Sequence, residues 1–161
     1  MRVIEYDRRA ALDYAKMWAF RRNPQFYNFD GLGGDCTNFA SQCIYAGAGI
    51  MNYTPTFGWY YKDLNNRAPA WTGVEYLYNF MTTNEGKGPF AEGTPLNKLE
   101  VGDIVQLGTA TGDFYHSPVV VAVRGGRIFV AAHTFDAFMR PLSSYSFARA
   151  RGIHILGVRT E

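Results

Sequence analysis

An α+β domain, with N-terminal helices packed on an antiparallel sheet, is the fold class this sequence predicts. Three observations carry it. In the first half, residues of one face recur at helical spacing, at 11, 14, 15 and 18 and again at 36, 39, 40 and 43. The second half holds strand-length runs rich in β-branched residues. Helices come first and strands second, the order of segregated layers. At 161 residues the chain is long enough to bury a sizeable core and is expected to form one domain, 1–161.

Each element has a local cause. Asp7 to Arg22 reads as a helix with Ala11, Tyr14, Ala15 and Trp18 on one face; Asp7 is its cap, and Asn23-Pro24 stops it. Cys36 to Ala46 is a second helix, closed by Gly47 and Gly49. Thr72 to Thr83 is a third, with Thr72 and Glu75 spaced as a capping box. Asn84 to Asn97, with its Gly and Pro residues, reads as a loop. The strand runs are Ile104 to Leu107, Ser117 to Val123, Ile128 to Ala132 and Ile153 to Val158. Gly125-Gly126 is a two-residue hairpin signal, and Pro118 belongs at a strand end or edge.

Composition narrows the function. Apolar residues make up 47% and charged residues 19%, with a formal net charge of +2 and both signs mixed. Arg8, Arg9, Arg21 and Arg22 read as solvated positions of the first helix. No basic block points to nucleic acid, and no apolar run approaches the ~18 residues of a membrane span, so neither partner is expected. Met1 to Asp7 lacks the order of a secretory signal. The chain is expected to be cytoplasmic, exported by a non-classical route, or the trimmed form of a secreted protein. Aromatic content is high, at 16%, which suits a core or a peptide groove.

The chemistry centres on Gly33-Gly34-Asp35-Cys36-Thr37-Asn38-Phe39-Ala40-Ser41-Gln42-Cys43. A glycine pair leads into a cysteine that opens a helix. The positive end of a helix favours the thiolate, the reactive form of cysteine. The second cysteine, Cys43, would lie about 10 Å further along the same face, too far for a disulfide, and reads as core. Two cysteines at that spacing make a poor zinc site, and no metal or cofactor is expected.

A cysteine nucleophile needs a base and usually an orienting partner. The chain has three histidines, His116, His133 and His154. Counting outward from a turn at Gly125-Gly126 puts Pro118 opposite His133. His116 then becomes a diagonal neighbour of His133 on the same face, about 7–8 Å away by backbone position. A one-residue slip would put the two on opposite faces. The expected set is Cys36 as nucleophile, His116 as base and His133 as orienter, with Asp136 as a rival orienter. His154 reads as structural.

These residues resemble the bacterial putative amidase domain family. Gly33 to Cys43 is the specific match; Tyr14-Ala15, Arg22-Asn23-Pro24, Trp59-Tyr60-Tyr61, Trp71-Thr72, Gly102-Asp103, His116-Ser117 and His133-Thr134 follow in order along the chain. That family is similar to papain-like NlpC-type cell-wall hydrolases. The resemblance implies a papain-like α+β fold and cysteine-dependent hydrolysis of amide bonds, with a peptide or amide substrate, peptidoglycan fragments among them. By position, Cys36 matches the nucleophile, His116 the base, His133 the third polar residue and Asp35 the supporting residue before the cysteine. The Cys36 N–H would be one oxyanion donor; Gln25 or Tyr27 are candidates for the second. Trp59, Tyr60, Tyr61 and Trp71 would line a substrate groove or pack in the core. Acyl transfer through the same site and a non-catalytic binding module are the competing functions.

Overall fold

The computed structural model describes residues 1–161. In chain order the elements are β1 (Arg2–Ile4), α1 (Arg8–Trp18), α2 (Cys36–Ala48), β2 (Tyr61–Asp63), β3 (Asn66–Arg67), α3 (Pro69–Thr72), α4 (Val74–Thr83), β4 (Gly88–Thr94), β5 (Ile104–Gly108), β6 (Phe114–His116), β7 (Val119–Arg124), β8 (Arg127–Ala132), β9 (Ala137–Pro141) and β10 (Arg149–Thr160). The architecture is α+β, with helices against a curled antiparallel sheet. No helix is long and apolar enough to cross a membrane.

The helices start and stop for local reasons. The Asp7 carboxylate accepts the Ala10 N–H at 3.0 Å and caps α1. Gly49, at φ 70, ends α2 in the left-handed conformation that glycine adopts without strain. The single helix expected over 72–83 is instead two. Gly73 is extended between α3 and α4, and a side chain there would collide with the Tyr76 ring, 2.8 Å from its Cβ position. The expected capping box does not form: Thr72 Oγ1 accepts from Arg67 Nε, and Glu75 pairs with Arg151.

The main sheet has eight strands, ordered β1-β10-β5-β7-β8-β9, with β4 also on β10 and β6 also on β5. The 12-residue β10 is its spine, pairing with β1, β4 and β5 in turn around a bulge between Ile155 and Gly157. β4 lies in the segment expected to be a loop. Its Gly and Pro residues hide a strand that exists because β10 offers it seven partners, and Pro89 fits because β4 is an edge. Gly125 and Gly126, at φ 56 and 78, form the β7–β8 turn with Arg124 opposite Arg127, as expected.

Alternation along the strands makes two apolar layers. Ile104, Val119, Ala131 and Ile153 face the helices and pack with Ala11, Ala15, Phe39, Cys43, Ile44, Leu77 and Met81. Val105, Leu107, Val120 and Val130 face the other way, onto Leu99 and Leu142. This parity decides which histidine turns toward the helices.

Candidate active site

The first turn of α2 is built by the loop before it. Gly33 and Gly34 sit at φ 84 and 98, and Gly34 N–H bonds to Phe29 O, so the chain doubles back just before the cysteine. Asp35 occupies the N-cap position of α2 but makes no cap bond. Its Oδ1 accepts from Phe29 N–H at 2.8 Å and from Asn38 Nδ2 at 2.9 Å, and its Oδ2 lies 2.5 Å from His133 Nδ1. The Cys36 N–H at the start of α2 therefore has no side-chain cap and remains available to negative charge. The Asp35 N–H donates to Thr134 Oγ1, tying the turn to the strand end beyond His133.

Cys36 is the first residue of α2 and half-buried. Its sulfur is 3.7 Å from Thr37 Oγ1 and 4.0 Å from the Tyr115 carbonyl oxygen. Burial pushes the thiol up from its ordinary value; the Thr37 hydroxyl and the N–H groups of Ser117 and Thr37 hold it down, and the Asp35 charge raises it. Burial thus works against the thiolate that the helix end favours. Cys43 is fully buried in the core, as expected.

His116 ends β6, where it pairs with Leu107. It lines the same cavity as Cys36, about 300 Å³ in volume, with Gly33, Gly34, Tyr115, Thr134 and Phe135 around them. The imidazole is 8% exposed, and its pKa is lowered to about 4, first by burial and then by the Arg140 charge. At neutral pH the cavity therefore holds a neutral thiol and a neutral imidazole.

His133 is elsewhere, a correction to the expected diagonal pair. A bulge between Val120 and Ala122 shifts the register, so Val119 faces Ala131. Continuing two residues puts Ser117, and not Pro118, level with His133. Ser117 and His133 look toward the helices: the Ser117 hydroxyl meets Thr37 Oγ1 at 3.2 Å, and the His133 ring stacks on Phe39 at 4.0 Å. His116, next along the chain, takes the other face. Both His133 nitrogens have acceptor partners, Asp35 Oδ2 and, at 2.8 Å, Trp18 O.

Other expectations also move. Asp136 does not orient a histidine; it chelates Arg22, which also holds Asp30. Arg22 is thus a clamp between the loops on either side of the site. Arg8 likewise leaves solvent to pair with buried Asp103, which also holds His154. Trp59 and Trp71 have no exposed surface, so they line no groove; their indole N–H groups bond Ser41 and Asn38 in the core. Tyr60 is half-buried against Tyr53 and lies outside the cavity. Gln25 and Tyr27 also lie outside it, and the Tyr27 N–H donates to Tyr61. Arg140 and Tyr145, which do line the cavity, carry no periodic or motif signal in the sequence.

The putative amidase domain model matches residues 5–156, nearly the whole chain. The chain is also 31% identical over 143 residues to the uncharacterized protein YhbB of Bacillus subtilis (strain 168), covering 86% of this chain and 45% of that protein. It therefore spans less than half the length of that relative. No solved structure matches it. The family match, which runs from Glu5 to Leu156 and takes in the glycine-led turn that opens α2, places this chain in the putative amidase domain family.

Proposed function

We propose that this chain is a cysteine-dependent amide hydrolase of papain-like design, with Cys36 as nucleophile and His116 as base. The observation that carries this reading is the shared cavity: a thiol at the start of α2 and a buried, uncharged imidazole at the end of β6 line one pocket of residue size. His116 takes the proton from Sγ as the sulfur attacks the amide carbonyl carbon. Charge developing on the carbonyl oxygen falls toward the uncapped start of α2, where the Cys36 N–H has no acceptor of its own. The tetrahedral species collapses, breaking the C–N bond as His116 returns the proton to the departing amine. Water then attacks the thioester, with His116 as base again, and releases the acid.

In this reading Asp35 and His133 hold the nucleophile's turn in place and do not touch substrate. Peptidoglycan-type peptides are the substrate class. The test is mass spectrometry of purified peptidoglycan incubated with the protein and with Cys36→Ala. New amine and carboxyl termini that require Cys36 support the reading. Unchanged fragments remove the wall substrate, and hydrolysis that persists in Cys36→Ala removes the nucleophile.

A further inference from the structure

The Cys36 cavity holds one charged side chain that this mechanism leaves without a task. Arg140 projects from β9 into the lining, and no Asp or Glu lines the cavity with it. Its Nε–H donates to Ser144 Oγ at 2.8 Å, and one Nη2–H donates to Ser144 O at 3.2 Å. Those are two of the five N–H groups of a guanidinium, and no carboxylate of the protein pairs with it. The guanidinium stacks 3.6 Å over the Tyr145 ring, which fixes its plane. Tyr145 lines the same cavity; its hydroxyl is buried, has the Arg140 guanidinium beside it and donates to no acceptor of the protein. A buried O–H without an acceptor, beside a cation with no carboxylate partner, is an arrangement that an anionic ligand would complete.

We propose that Arg140 and Tyr145 form a carboxylate subsite of the Cys36 cavity, so that the amide substrate carries a carboxylate in the residue adjoining the scissile bond. The planar guanidinium fork matches a carboxylate in two-point geometry, and the Tyr145 O–H donates to the same group. The proposal rests on the Cys36–His116 reading. It adds a selection rule: neutral amides of the same size are poorer substrates than anionic ones. Occupation of the subsite also relieves His116 of the Arg140 charge, so a bound carboxylate makes the imidazole a stronger base as attack begins.

Iodoacetate and iodoacetamide, nearly equal in size and differing in charge, separate the two ideas. Each alkylates Cys36 by displacing iodide as the S–C bond forms, and the thiol proton leaves to buffer. Cys43 has no exposed surface, so labelling of the folded protein at pH 9 reports Cys36. The quantity read is the rate ratio, iodoacetate over iodoacetamide. The ratio is expected to fall about tenfold in Arg140→Gln, the worth of one charge-assisted bond, and to fall less in Tyr145→Phe and Arg140→Lys. Succinate is expected to slow iodoacetate labelling of the unaltered protein where neutral succinamide does not, a measurement that needs no variant to fold.

An unchanged ratio in Arg140→Gln, or no protection by succinate, with Cys36 still alkylated by iodoacetamide, overturns the subsite and leaves the nucleophile in place. No alkylation of Cys36 by either reagent overturns the nucleophile, and the subsite with it.

Discussion

His133 Nδ1 lies 2.5 Å from Asp35 Oδ2, joining residues 98 apart in sequence and both 1% exposed. The ring also donates to Trp18 O, at the end of α1. One side chain thus ties the negative end of α1 to Asp35, the residue just before α2. The position of Cys36 depends on that tie.

Breaking it is expected to cost stability. His133→Phe, which keeps the stacking area on Phe39, leaves the Asp35 carboxylate buried without its main partner. A loss of about 3 kcal/mol is expected in urea unfolding, within the range for removing one member of a buried pair. A loss below ~1 kcal/mol would show that the tie does little.

The Arg22 clamp is a second support. Arg22 grips Asp30 at 2.8 Å and Asp136 at 2.8 and 3.0 Å. Arg22→Lys keeps the charge but loses the fork. A drop of about 1–2 kcal/mol in stability is expected, with faster proteolysis in the segments 23–34 and 133–136. Unchanged cleavage in both segments would contradict the clamp.

His116 makes stability depend on pH. Its folded pKa, about 4, is below the ordinary 6.5, so the unfolded chain binds more protons between those values. This site's contribution is full above pH 6.5 and is lost as pH falls toward 4, by roughly 3 kcal/mol in all. His116→Gln is expected to flatten that limb. An equally steep decline in the variant would assign the acid sensitivity to other groups.

Catalysis has its own pH signature. A neutral thiol and a neutral imidazole need no ion pair at rest, so the acid limb of kcat/KM is expected near the His116 value of about 4 rather than near 6.5. Cys36→Ala is expected to lower amide hydrolysis on the order of 10³-fold or more with the fold retained by circular dichroism.

Much of this protein was legible in the sequence because it is local. The Ala11, Tyr14, Ala15 and Trp18 face, the Asp7 cap, the Gly125-Gly126 turn and the thiol at the start of α2 follow from period, capping and turn chemistry over a few residues. Cys36 and His116, marked from sequence, share a cavity. Three things needed the folded chain. A bulge at Val121 adds one residue to one side of a ladder and reverses the face of everything beyond it, so His133 joined Asp35 and not His116. β4 is a strand only because β10 pairs with it. Burial sets the charge states of Cys36 and His116 against their positions in sequence, since desolvation depends on what surrounds a group in space. The sequence by itself determined the helices, the hairpin and the nucleophile's place on its helix, because those depend on near neighbours. Tertiary structure alone decided that His133 turns to Asp35, and that Arg140 and Tyr145 line the cavity of Cys36 and His116.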